Sequence, residues 1–151
     1  MVKSKREYSI VLIFLQLFLG LGAIFGGLVF IIDPTGELIH LPLTILERSP
    51  FHNFLIPGII LFVVLGLFPM GIALALLKKW HWALGERLNL FKDRHWSWTF
   101  SLYSGFTIII WIAVQVYMIN AVSVIHIFYI VLGLTIQATT LLPSAQDIYK
   151  I

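Results

Sequence analysis

A membrane bundle of four antiparallel α-helices, with no strands, is the fold class this chain predicts, and three observations carry it. Apolar runs at 9–32, 54–77, 98–118 and 121–142 take up most of its 151 residues. Apart from His126, none of them contains Asp, Glu, Lys, Arg or His. Each is long enough as a helix, because a hydrocarbon core of about 30 Å takes roughly 20 residues rising 1.5 Å apiece. The third observation is charge. Lys3, Lys5, Arg6, Lys78, Lys79, Arg87, Lys92, Arg94 and Lys150 fall on one side of the four runs, and only Arg48 falls on the other. Positively charged loops stay cytoplasmic, so both termini are expected there, which requires an even number of spans.

Composition narrows the class further. Hydrophobic residues make up 60%, charged residues only 11%, and the mean hydropathy is +0.97. The polar gaps are too short for a separate soluble domain, so one membrane domain over 1–151 is expected. With no cysteine, disulfides and thiolate metal sites are excluded. The net charge of +3 belongs to the membrane-facing loops and does not point to nucleic acid.

The first run begins like a signal peptide, with cations before an apolar stretch. It is longer than an h-region, and Asp33-Pro34 is no small-residue cleavage site, so a retained helix is expected. Its Gly22 and Gly26 form a G-x-x-x-G pair, with Gly20, Ala23 and Gly27 extending the small surface for helix packing. Packing within one protomer is the first reading, and a dimer seam is the alternative.

Asp33-Pro34-Thr35-Gly36 ends that helix. The outer loop that follows is apolar, and a short interfacial helix is expected from about Pro42, with Leu43, Ile45 and Leu46 turned to lipid or protein. Asp33, His40 and His52 are its chemically capable residues, alongside Glu37, Glu47 and Ser49. Their spacing matches no metal or Ser-His-Asp pattern, and solvated interface charge is the reading taken. Ser49-Pro50 resembles an N-cap followed by a first helical residue, and Pro57 and Pro69 should bend the second span.

In the inner loop, Trp80, Ala83, Leu84, Arg87, Leu88 and Phe91 recur at helical spacing. A helix over 80–91 is expected on the cytoplasmic leaflet, with Trp80, Trp82, Trp96 and Trp98 as an interfacial belt. Docking of a cytoplasmic partner is the alternative. The last two runs, joined only around Asn120, must be adjacent and antiparallel.

Polar side chains inside the spans are costly without a partner. Gln16 lies in span one, Gln115 in span three, and His126 and Gln137 in span four. Gln115 is the leading candidate. It should face the bundle interior and pair with Gln16, Thr135 or Thr139, or else hold a ligand headgroup. His126 reads as a packing histidine.

The segments Asp33-Pro34-Thr35-Gly36, Ser49-Pro50-Phe51 and Phe54-Leu55-Ile56-Pro57-Gly58, with Gly66, Trp111, Gln115 and Gly133, resemble a group of small, functionally uncharacterised bacterial four-span integral membrane proteins. That resemblance implies the bacterial inner membrane and brings no activity. The outline is also similar to claudin-like tetraspan proteins, but their outer-loop cysteine pair is absent. Small multidrug transporters use a first-helix glutamate where this chain offers only Gln16.

The function expected is a non-enzymatic scaffold or accessory subunit with a lipid-facing or lipid-filled pocket. A small oligomeric transporter or channel is the alternative, and an intramembrane enzyme is third. No catalytic residue, metal site or cofactor is assigned. Membrane lipids are the expected partners, with a second copy or another membrane protein as further candidates.

Overall fold

A computed structural model describes residues 7–151. Lys3, Lys5 and Arg6, part of the charge argument, lie outside the described residues. Four helices are long and apolar enough to cross a membrane: α1 (Ile10–Ile32), α2 (Leu55–Lys78), α4 (Trp96–Ile119) and α5 (Val124–Leu141). Two short helices, α3 (Ala83–Leu88) and α6 (Pro143–Ile148), lie at the end of the bundle where the chain finishes. The loop at the opposite end holds only 3₁₀ turns, Glu37–Ile39 and Leu43–Leu46.

Local chemistry sets the boundaries. Ser9 caps α1, accepting from the Leu12 N–H. Asp33 closes it, its carboxylate accepting from Thr35 and from the Leu38 N–H at 2.7 Å. Those hydrogen bonds, that of the Thr35 hydroxyl first, hold the Asp33 pKa below its ordinary value. Asn120 ends α4 in a left-handed conformation (φ 54°), its N–H bonded back to Val116.

The second span departs from its expected start and shape. Ser49 caps a turn, accepting from the Phe51 N–H and donating to the Leu46 carbonyl. The helix begins only at Leu55, whose N–H bonds to Asn53. Pro57 therefore sits in the first turn, where a missing N–H removes nothing. Pro69 does perturb the helix. Residues Leu61–Leu67, just before it, wind as a π-helix, since the proline ring and absent N–H disrupt the regular bond to residue 65.

The bundle is two close hairpins, α1 with α2 and α4 with α5. Glycines build both seams. A Cβ on Gly20 would lie 2.9 Å from the Gly66 carbonyl oxygen, and one on Gly27 would lie 2.8 Å from that of Gly58. Gly105 and Gly133 face each other in the same way, at 3.0 Å. The close packing of α1 thus uses Gly20 and Gly27. Gly22 and Gly26, the expected packing pair, meet side chains and not backbone: a Cβ on each would lie 3.1 Å from the Tyr129 hydroxyl oxygen and 3.3 Å from Leu61 Cδ2.

Between the hairpins the two ends differ. At the end carrying the chain terminus, α4 enters fully enclosed, with Trp96, Ser97, Trp98, Thr99, Phe100 and Ser101 all buried. Trp96 and Trp98 are therefore core residues, not belt residues. Their indole N–H groups are satisfied by the Trp80 carbonyl at 2.9 Å and the Thr140 carbonyl at 2.8 Å, which removes the penalty of burying them. Tyr149 closes this end. Its hydroxyl donates to the Leu76 carbonyl and accepts from the Ser9 N–H, joining tail, α2 and α1. Mid-bundle, the fully buried Gln16 donates to the Ser104 hydroxyl at 2.7 Å and ties the hairpins together. At the other end they separate around a cavity.

Candidate functional site

The cavity has a volume of about 430 Å³, within the ordinary range for ligand sites. All four spans contribute to it, and the loop after α1 covers it through Leu41, Leu46 and Phe51. Along α4 its lining runs from Ile119 to Ile108, about 17 Å at the helical rise. It is therefore long as well as apolar. Gly22 and Gly26 form its α1 wall, because a side chain there would occupy the space. Leu61, the first residue of the π-helical stretch, forms part of the α2 wall.

Among the described residues, four lining side chains carry N–H or O–H groups: Trp111 and Gln115 on α4, His126 and Tyr129 on α5. None is an Asp, Glu, Lys or Arg. Gln115 lies four residues from the end of α4 and His126 lies in the first turn of α5. Both groups thus sit about 3–6 Å inside the helix ends, toward the loop-covered end of the cavity.

His126 is 6% exposed, and the orientation of its ring is fixed by the helix start. Its Nδ1 accepts from the Ser123 backbone N–H at 3.0 Å. A backbone N–H can only donate, so the neutral ring carries its proton on Nε2. Nε2 makes no hydrogen bond among the described residues.

Gln115 lines the cavity and makes no hydrogen bond among the described residues. The three partners expected for it are engaged or turned elsewhere. Gln16 is bonded to Ser104, the exposed Thr135 returns its hydroxyl to the Val131 carbonyl, and Thr139 is absent from the lining. Gln137 is also outside the cavity. Its methylene presses on Gly105, and its Nε2 is buried without a partner among the described residues.

The remaining candidates are dispersed. Asp33 is occupied by its own turn, while His40 and His52 are exposed on the loop. Among the described residues no three His, Asp or Glu side chains are grouped as metal ligands. The helix expected over 80–91 is shortened to Ala83–Leu88. It stops because Asn89 turns inward, donating to the Arg94 carbonyl and accepting from Thr99 and the Phe91 N–H. Trp80, Leu84, Leu88 and Phe91 are nonetheless exposed together with Arg87.

Two participants escaped the sequence reading. The signal for Ser104 is the recurrence of Ser97, Ser101 and Ser104 at helical spacing, which marks one polar stripe on α4. Tyr129 stands alone in an apolar run, where nothing distinguishes a cavity tyrosine from a packed one. Comparison with family models, with curated proteins and with solved structures finds no match to this chain.

Proposed function

We propose that this is a non-enzymatic membrane protein of the bacterial inner membrane. In this reading it holds a lipid chain between its two hairpins and serves as a scaffold or accessory subunit. The observation that carries the reading is the cavity itself: about 430 Å³, long, uncharged and contributed to by every span. Apolar walls with a few polar groups at one end suit an amphiphile better than an ion or a hydrophilic solute. Gln115 and His126 lie near the helix ends and not at the bundle centre, where a transport site would be expected.

The orientation belongs to the same proposal. Lys78, Lys79, Arg87, Lys92, Arg94 and Lys150 flank the spans at the end bearing α3 and α6, while Arg48 lies at the cavity end. The basic end is then cytoplasmic and the cavity opens within the outer leaflet.

Filling the cavity tests the ligand. Gly22→Leu and Gly26→Leu should each lower the lipid that co-purifies, measured by native mass spectrometry, while circular dichroism stays helical. Unchanged lipid content in folded variants would overturn the reading. Labelling tests the orientation, since the chain has no cysteine. Glu86→Cys should react with an impermeant maleimide only from the cytoplasmic side and His40→Cys only from outside. The reverse pattern would invert the topology.

A further inference from the structure

We infer that the loop-covered end of the cavity recognises an ester carbonyl of a glycerolipid, through the His126 Nε2–H and the Gln115 amide. This rests on the proposal that the cavity holds a lipid chain, and it names the chemical group that is read.

Three observations converge. The first is the tautomer. The Ser123 N–H occupies Nδ1, so the face that His126 offers is a donor. His126 as a residue is only 6% exposed and lines the cavity, and an N–H donor without a partner in so apolar a lining is costly. The second is company. Gln115 lines the same cavity with an amide that has no partner among the described residues, and the lining also holds Trp111, whose indole only donates, and Tyr129, whose hydroxyl can donate or accept. Donors therefore predominate, and the ligand must present acceptor oxygen. The third is that no Asp, Glu, Lys or Arg among the described residues lines the cavity. A phosphate or free carboxylate would find no cation, and an ammonium group would find no carboxylate, so the acceptor is neutral.

Depth selects among neutral acceptors. His126 and Gln115 lie about 3–6 Å inside the helix ends, and the apolar lining continues deeper, to Ile108 and Leu19. Glycerolipid ester carbonyls occupy this boundary between headgroup and hydrocarbon. The acyl chain would follow the 17 Å lining inward, and the headgroup would remain outside among the loop residues.

The test uses two lipids that differ only in the carbonyl. The delipidated protein in detergent is titrated with a phosphatidylglycerol bearing two ester-linked oleoyl chains. In parallel it is titrated with the dialkyl ether analogue of the same headgroup and chain length. Bound lipid is counted by native mass spectrometry. The ester form should bind roughly tenfold more tightly, the scale of one to two net hydrogen bonds. Gln115→Leu should lose most of that preference and retain binding of the ether form. His126→Phe should do the same; because it also removes a helix cap, Gln115→Leu, which leaves the Ser123 cap intact, keeps the test decisive. Equal binding of ester and ether forms to the unaltered protein would overturn carbonyl recognition and leave the lipid-filled cavity standing. Failure of either lipid to bind, together with unchanged lipid content in Gly22→Leu, would instead remove the cavity reading beneath it.

Discussion

His95 shows how single side chains decide this structure. It stands just before α4, and its ring has an acceptor at one edge and a donor at the other. Nδ1 accepts from the Ser97 N–H, while Nε2 lies 3.2 Å from the Trp80 carbonyl, which can only accept. Both contacts suit the neutral ring. Burial is the main cause holding its pKa below 6.5, partly opposed by the Trp80 carbonyl and Glu86. The folded chain therefore binds this proton less readily than the unfolded one. The stability contributed is complete above pH 6.5 and is lost as pH falls from there toward the lower folded-state pKa. Melting of the detergent-solubilised protein should shift down as pH falls below 6.5, and His95→Asn, which can still cap α4, should flatten that part of the profile. A steeper acid dependence in the variant would contradict this account. The same scale limits what sequence can reveal. Gln16, Gln115 and His126 stood out because polar groups are rare inside apolar runs. Which of them has a partner depends on Ser104, 88 residues from Gln16, and on a serine backbone N–H three residues from His126. Neither contact leaves a mark in composition or hydropathy.

Long elements were legible and short ones were not. A span is dictated by its own apolar length, so each of the four helices lies within about three residues of its expected bounds. The segment at 80–91 depends on tertiary partners. Gly85 nestles against Trp82 and Trp96, and the bonds of Asn89 to Arg94 and Thr99 end the helix despite a continuing amphipathic pattern. Glycine meaning is likewise set by neighbours. A Cβ on Gly66 would lie 2.7 Å from Ile24 Cγ1 and 3.1 Å from its backbone nitrogen, whereas one on Gly71, further along α2, meets nothing within 4 Å. Gly66→Ala should therefore destabilise the α1–α2 hairpin by about 1–3 kcal/mol. Gly71→Ala should stabilise α2 by about 0.5–1 kcal/mol through lower backbone entropy in the unfolded chain. Thermal unfolding of the two variants side by side checks both signs. Equal effects would mean that the seam is not the close contact described.

At the scale of the molecule, one end is locked and the other is open. The locked end buries aromatic rings whose polar atoms are satisfied, and Tyr149 staples the tail across α1 and α2. The open end has its hairpins held apart around a cavity, with Gln115 and the His126 Nε2, unpaired among the described residues, toward its loop-covered end. Local opening is cheapest where buried apolar contacts are fewest, so protection against hydrogen exchange should fall along the bundle axis. In delipidated protein, amides of α4 near Ser104 and Ile108 should exchange slowest, and those near Gln115 and Ile119 measurably faster. A ligand that binds only the closed bundle stabilises it by mass action. Restoring a glycerolipid should therefore slow exchange at the cavity end, in α5 near His126 as well as in α4, and leave the Tyr149 end unchanged. Hydrogen-exchange mass spectrometry on the same preparation with and without lipid measures both effects. Uniform protection along α4, or slowing at the Tyr149 end alone, would show that the cavity is not where this molecule couples its folding to the membrane.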